Sequence, residues 1–353
     1  MNQRNRGIFK ALLLASAVVF AAFAFAACGG DKETGGVKTI SIAVPDGAPI
    51  LSIAKMRAEN YAVENGYKTE WTTLNADTLT AQMMQSAPDI AVAPINLGAK
   101  MYNEAEDHGY RFAGVSIWGI MHLVSDDPVF DNAPDNQARM DILKGKTVYA
   151  FTESGTPGIT LRHLLNQYGI AGEVTVTYLN GPSDVLEAIK EDKDKGIIHY
   201  AVLAEPVATQ AAGASQRPGF VPKINFQTLW KEKHGDQMYP QAGLFFHKRL
   251  LEKDKAFLDK FISMAALSTD WAFNNPKEAG DLAKNVLNSA AIPGGGPVKI
   301  AVDAGRLPLN FTYAAEAKAA VNAYLEIIKN DSANSVNLIG GKVPDENFYY
   351  SKG

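Results

Sequence analysis

From Lys38 onward the chain alternates short apolar runs with stretches in which apolar residues recur at helical spacing, the pattern of βαβ units. Lys38–Pro45 (KTISIAVP) predicts a first strand with Ile40, Ile42 and Val44 on one face. A helix over 48–65, stopped by Gly66, is expected next, then a strand over 68–74 and a helix opened by Asp77 and running through Met83 and Met84. Asp89–Pro94 (DIAVAP) suits a strand buried on both faces. A helix over 97–107 and a strand over 110–118 complete this cycle. A second cycle repeats the plan, with strands over 145–151, 173–179 and 199–204 and helices over 157–168 and 182–193. Two apolar runs with an internal glycine, Ser116–Pro128 and Tyr239–Leu251, are expected as crossovers between two α/β lobes. Helices follow around Phe257–Trp271, over 276–291 and over 313–329, with Pro293–Pro297 (PGGGP) expected as a loop between them. No solenoid repeat and no low-complexity segment interrupts the pattern.

The first thirty residues depart from it. Arg4, Arg6 and Lys10 precede an uncharged, alanine-rich run from Ala11 to Gly30. This is the layout of an export signal, with a retained span as the alternative, since roughly 20 apolar residues can cross a bilayer. The small residues Ala26 and Ala27 and the polar, glycine-rich stretch after Cys28 favour cleavage. Phe25-Ala26-Ala27-Cys28 resembles the lipobox of bacterial lipoproteins, except that an aromatic residue stands where an aliphatic one is usual. The expectation is a signal over 1–27, lipidation of Cys28 and a tether over 28–37. Removing Arg4, Arg6 and Lys10 takes the net charge from −4 to −7.

Composition narrows the function by exclusion. With 34 Lys+Arg against 38 Asp+Glu and no dense basic block, nothing offers a footprint for nucleic acid. The single cysteine excludes an intramolecular disulfide and a thiolate zinc cluster. Gly145-Lys146-Thr147 looks like the end of a P-loop, but Met140 stands where its first glycine belongs, and a strand follows where a helix is needed. The six histidines include no HExxH and no i, i+4 pair; His122 and His247 stand out only because they lie on the two crossovers. Asp126-Asp127 and Asp131-Asn132 lack the Gly and Glu of a calcium loop. No nucleophile elbow is present. The chain therefore offers no catalytic residues, no metal site and no cofactor site.

What remains are loops at the carboxyl ends of strands, where open α/β sheets bind ligands against helix N-termini. Four qualify: Asp46-Gly47-Ala48-Pro49, Pro94-Ile95-Asn96, Glu153-Ser154-Gly155-Thr156-Pro157 and Ala204-Glu205-Pro206. Each also reads as an ordinary turn and helix cap. None of the four contains an arginine, and Arg162 lies about a turn into its helix. An anion and an uncharged or weakly charged organic ligand, aromatic in view of Trp118 and Phe151, stay equally open.

The order of these segments, VPDGAP, DIAVAPINLGAKMYN, GKTVYAFTESGTPGITLRHLLNQYGI, AVLAEPVATQA and QAGLFFHKRLLEKDKAFLDKF, resembles the extracytoplasmic binding proteins of ABC importers of the nitrate/sulfonate/taurine type, related to the thiamine-pyrimidine precursor-binding proteins. The resemblance implies an α/β, two-lobed periplasmic-binding-protein-like fold of type II, with lobe 1 over 38–118 plus 249–353 and lobe 2 over 119–248. It implies a small-molecule ligand held between the lobes, and a permease with its ATPase as partners. Carried onto this chain, Asp46–Pro49, Pro94–Asn96, Ser154, Gly155, Thr156, Pro157, Glu205 and Pro206 would line the cleft, with Trp118 and Gly119 at its back and Phe151, Asn180 and Tyr239 as weaker candidates. The alternatives are an enzyme on the same fold, of thiamine-pyrimidine or menaquinone-pathway type, and a sensor-only lipoprotein.

Overall fold

The computed structural model describes residues 37–60, 65–105, 109–332 and 334–352. The expected leader, Cys28 and His108 lie outside them. In chain order the strands are β1 (Lys38–Pro45), β2 (Tyr67–Leu74), β3 (Ile90–Pro94), β4 (Tyr110–Trp118), β5 (Met121–Ser125), β6 (Thr147–Phe151), β7 (Thr175–Leu179), β8 (Tyr200–Ala204), β9 (Val221–Asn225), β10 (Pro240–His247) and β11 (Thr312–Tyr313). They form two sheets flanked by helices, one ordered β11-β4-β10-β3-β1-β2 and the other β7-β6-β8-β5-β9.

Each sheet is built mainly on one strand direction with an opposed strand inserted, and in the first the edge strand β11 also runs against β4. In the first, β1 and β3 are parallel, and β10 runs against both β3 and β4. In the second, β6 is parallel to β7 and β8, and β5 runs against β8 and β9. β3 is buried through Ile90–Ala93, as its uninterrupted apolar sequence requires of a strand covered on both faces. Helix Ile95–Glu104 seats on the first sheet through Gly98, whose missing side chain leaves the space that the Phe245 ring fills. One apolar cluster runs through both lobes, from Ala91, Phe112 and Phe245 to Val148, Leu164 and Trp230.

The structure revises four expectations. The chain does return to the first lobe at Tyr239–Leu251, but earlier than the expected boundary at 249: Pro240–His247 is already the inner strand between β3 and β4. A buried apolar run with a glycine serves either role, and only pairing separates them. The helix expected over 48–65 is two short ones, Pro49–Ser52 and Ala54–Ala58, broken at Ile53. There Ser52 Oγ donates to the Pro49 carbonyl at 2.8 Å, a local bond that competes with helix continuation. PGGGP is not wholly loop, since helix Gly295–Asp303 starts inside it. Its glycines allow backbone contact with the preceding helix, a Cβ on Gly280 meeting Gly295 Cα at 2.7 Å. The hydrophobic pattern predicts no element over 217–234, yet β9 and helix Phe226–Lys233 lie there. The helix is capped by Asn225 Oδ1, which accepts from Gln227 N at 2.8 Å.

Candidate functional site

The four expected loops stand where β1, β3, β6 and β8 end, and each leads into a helix. Their side chains have different fates. Asp46 is committed within the first lobe: its carboxylate accepts from Ser289 Oγ and from the backbone of Ala290 and Ala291 at 3.0 and 3.2 Å. Gly47 adopts φ +130°, a turn that favours glycine, ahead of buried Ala48 and of Pro49 at the helix start. Pro94 leads into helix Ile95–Glu104, where Ile95 is core and the Asn96 side chain is buried with Oδ1 unpartnered. Ser154 is exposed, Gly155 starts helix Thr156–Gln167 without a capping side chain, and Thr156 and Pro157 are buried.

Glu205 is 1% exposed and fully engaged. One carboxylate oxygen accepts from Thr209 N at 2.9 Å, opening the helix that follows Pro206. The other accepts from Arg306 Nε at 2.6 Å, and Arg306 also donates to Thr209 Oγ1 at 2.8 Å. Arg306 follows helix Gly295–Asp303, which packs with the first lobe's apolar core, so this ion pair joins the lobes. A second joins them elsewhere: Arg162 Nη2 lies 2.7 Å from Asp331 Oδ2, between helix Thr156–Gln167 and the long helix Ala314–Asp331. Both arginines are thereby neutralised by buried carboxylates.

Between the lobes lies a seam of aromatic rings and uncharged polar groups. The Tyr239 ring is 5.2 Å from that of Trp230 and 6.2 Å from that of Tyr324, and Trp230 is 5.8 Å from Tyr324. Gly119 is the glycine that lets the chain pass: a Cβ there would strike Gln227 Oε1 and the Tyr239 ring. Tyr239 Oη accepts from Met121 N at 3.3 Å. At the other end Tyr324 Oη sits beside the hydroxyls of Thr156 and Thr160, and burial pushes its phenol up to about 12, so it stays protonated. Both amide atoms of Gln227, by contrast, lack a hydrogen-bond partner. Unpartnered buried polar atoms cost roughly 1–3 kcal/mol each, so an amide with neither atom bonded points to a group that bonds something else.

Trp118, at the end of β4, turns its indole N–H to Thr312 Oγ1 at 3.2 Å, a contact inside the first sheet. His122, on β5, keeps Nδ1 at 3.1 Å from the Ile120 carbonyl and leaves Nε2 without a partner. Burial holds it down to about 4 despite the neighbouring Glu205, so it is neutral. His247 caps a helix, accepting from Arg249 N at 3.2 Å. Of the expected residues, the structure brings Gly119 and Thr156 to the seam, with Tyr239 from the weaker set. Thr160, Gln227, Trp230 and Tyr324 were missed. A Thr-x-x-x-Thr spacing that puts two hydroxyls on one helix face was the available signal for Thr160.

Residues 122–279 match the family described as NMT1/THI5 like. The match covers the second lobe and continues through β10 into helix Pro276–Asn285. Among solved structures, an ABC transporter protein from Parabacteroides distasonis shares 22% identity, covering 90% of this chain and 100% of its own, with a TM-score of 0.69. The periplasmic aliphatic sulphonate-binding protein SsuA from Escherichia coli shares 14%, covering 90% and 93%, with a TM-score of 0.62. DSZB, an enzyme solved as a cysteine-to-serine mutant in complex with biphenyl-2-sulfinic acid, shares 12%, covering 89% and 96%, with a TM-score of 0.57. These likenesses establish the two-lobed binding-protein fold. No curated protein matches the chain in sequence.

Proposed function

We propose that the protein is the solute-binding component of an ABC importer, capturing a small organic molecule between its lobes and handing it to a permease. The observation that carries this reading is the buried Gln227 amide, unpartnered at both atoms in the interlobe seam, on a fold shared with SsuA. A ligand supplying those bonds touches both lobes only when they are closed, so it favours closure by its differential affinity. DSZB is an enzyme on the same fold; among the described residues of this chain no group of three or more His, Cys, Asp or Glu side chains able to hold a metal is present. Export and a lipid on Cys28 belong to the same proposal. Among the described residues no helix is long and apolar enough to cross a membrane, so the N-terminal segment would supply the attachment.

The test is a thermal-shift screen of protein lacking residues 1–27 against small organic solutes. A true ligand stabilises by about 2.7 kcal/mol at 100-fold excess over Kd. Gln227→Leu should abolish that shift while leaving the ligand-free melting temperature equal or higher. A shift that persists in Gln227→Leu and in Tyr324→Phe would place binding outside the seam. Mass spectrometry of the membrane fraction should find diacylglycerol on Cys28, and an unmodified thiol would refute the anchor.

A further inference from the structure

Each lobe contributes a buried carboxamide with bare polar atoms where the two sheets come together. From the second lobe, Gln227 is 6% exposed, stands beside Gly119 and the Tyr239 ring, and has no partner at Oε1 or at Nε2. From the first lobe, Asn96 is 8% exposed and its Oδ1 is unpartnered. Strand pairing puts both at one end of the first sheet. Pro94, two residues before Asn96, pairs with Ala242 of β10, and β10 begins at Pro240, which pairs with Trp118 next to Gly119. The ends of β3 and β4 and the start of β10 therefore lie together, with about 4.8 Å from strand to strand.

The inventory of bare atoms selects a ligand. An amide oxygen only accepts and an amide nitrogen only donates, so two acceptors, Asn96 Oδ1 and Gln227 Oε1, stand against one donor, Gln227 Nε2. Exchanging oxygen and nitrogen in Gln227 leaves that count unchanged. A carboxylate or sulfonate carries acceptors only, so it would set its charge against two carbonyl oxygens. The arginines that join the lobes do not offset it, since Arg162 is held by Asp331 and Arg306 by Glu205. A primary carboxamide or a urea matches instead: its N–H groups suit the two oxygens, its carbonyl suits Nε2, and it brings no charge. The Tyr239 ring beside Gln227 and that of Trp230, 5.2 Å from it, favour a flat molecule. We propose that the solute is a neutral, flat molecule recognised through a primary amide or urea group held between Asn96 and Gln227. This rests on the solute-binding reading above and adds to it a ligand class and a contact from the first lobe.

The experiment is isothermal titration calorimetry of the purified protein with two amides, benzamide and nicotinamide, and with their acidic counterparts benzoate, benzenesulfonate and nicotinate. At least one amide should bind, and its counterpart should bind at least about tenfold more weakly. Asn96→Leu and Gln227→Leu should each weaken amide binding by at least about tenfold. An acid that binds as tightly as its amide, unchanged amide affinity in Asn96→Leu, or no binding by either amide overturns the proposal. In each of those cases the solute-binding reading stands if the wider thermal-shift screen yields a ligand, and a screen that yields none removes both. Should a variant fail to fold, the ratio of amide to acid affinity in the wild type decides alone.

Discussion

Three histidines, His122 and His247 buried and His163 half-buried, make the fold acid-sensitive one residue at a time. His122, His163 and His247 are each held down to about 4 from an ordinary value of 6.5, chiefly by burial. Between those values the unfolded chain binds protons that the folded chain refuses, so stability rises with pH there. It should be complete above pH 6.5 and fall as pH drops toward about 4. Urea midpoints measured across that window should show the decline, and His122→Gln should make it shallower, since His163 and His247 still contribute; a midpoint independent of pH would contradict the burial argument. Glu205 offers a second test. With its carboxylate buried and Arg306 its partnered cation, Arg306→Met strands a buried charge and should destabilise by about 3 kcal/mol. Adding Glu205→Gln should recover part of that loss, because the stranded charge is gone. A double-mutant cycle in urea measures the coupling.

At the scale of elements, glycines decide which surfaces meet. Helices Pro276–Asn285 and Gly295–Asp303 approach backbone to backbone because Gly280 has no side chain; a Cβ there would lie 2.8 Å from the Gly294 carbonyl oxygen as well. Gly280→Val should therefore force the helices apart and destabilise by about 1–3 kcal/mol, although valine is the better helix former. A calorimetric scan that shows no fall in melting temperature would disprove the close approach. This contact was not legible in PGGGP, because glycine-rich segments serve loops and tight helix contacts alike. β10 is ambiguous for a related reason: PQAGLFFH is almost wholly apolar, and local pattern does not say which neighbours an apolar strand has. Helix Phe226–Lys233 was missed although Asn225 is an ordinary cap, and with it went Gln227 and Trp230, two members of the seam.

For the whole molecule, closure rests on interlobe contacts that include two ion pairs and a shared apolar seam. Arg162→Gln removes one clamp and Arg306→Met the other; together they should shift ligand-free protein toward an open form, seen as a larger radius of gyration in solution scattering that ligand reverses. An unchanged radius would mean that the apolar seam alone holds the lobes. The sequence by itself determined the alternating α/β plan, most element positions and the loops at strand ends, because periodicity and turn chemistry are local. It also carried the absence of catalytic motifs and the lack of arginine in the loops. Only the tertiary structure decided that Asp46 is tied to Ser289, that Glu205 and Arg162 clamp the lobes, that Gln227 and Tyr239 close around Gly119, and that Tyr324 meets Thr156 and Thr160. Those pairings join residues about 100 to 240 positions apart, and no local pattern encodes a partner at that distance.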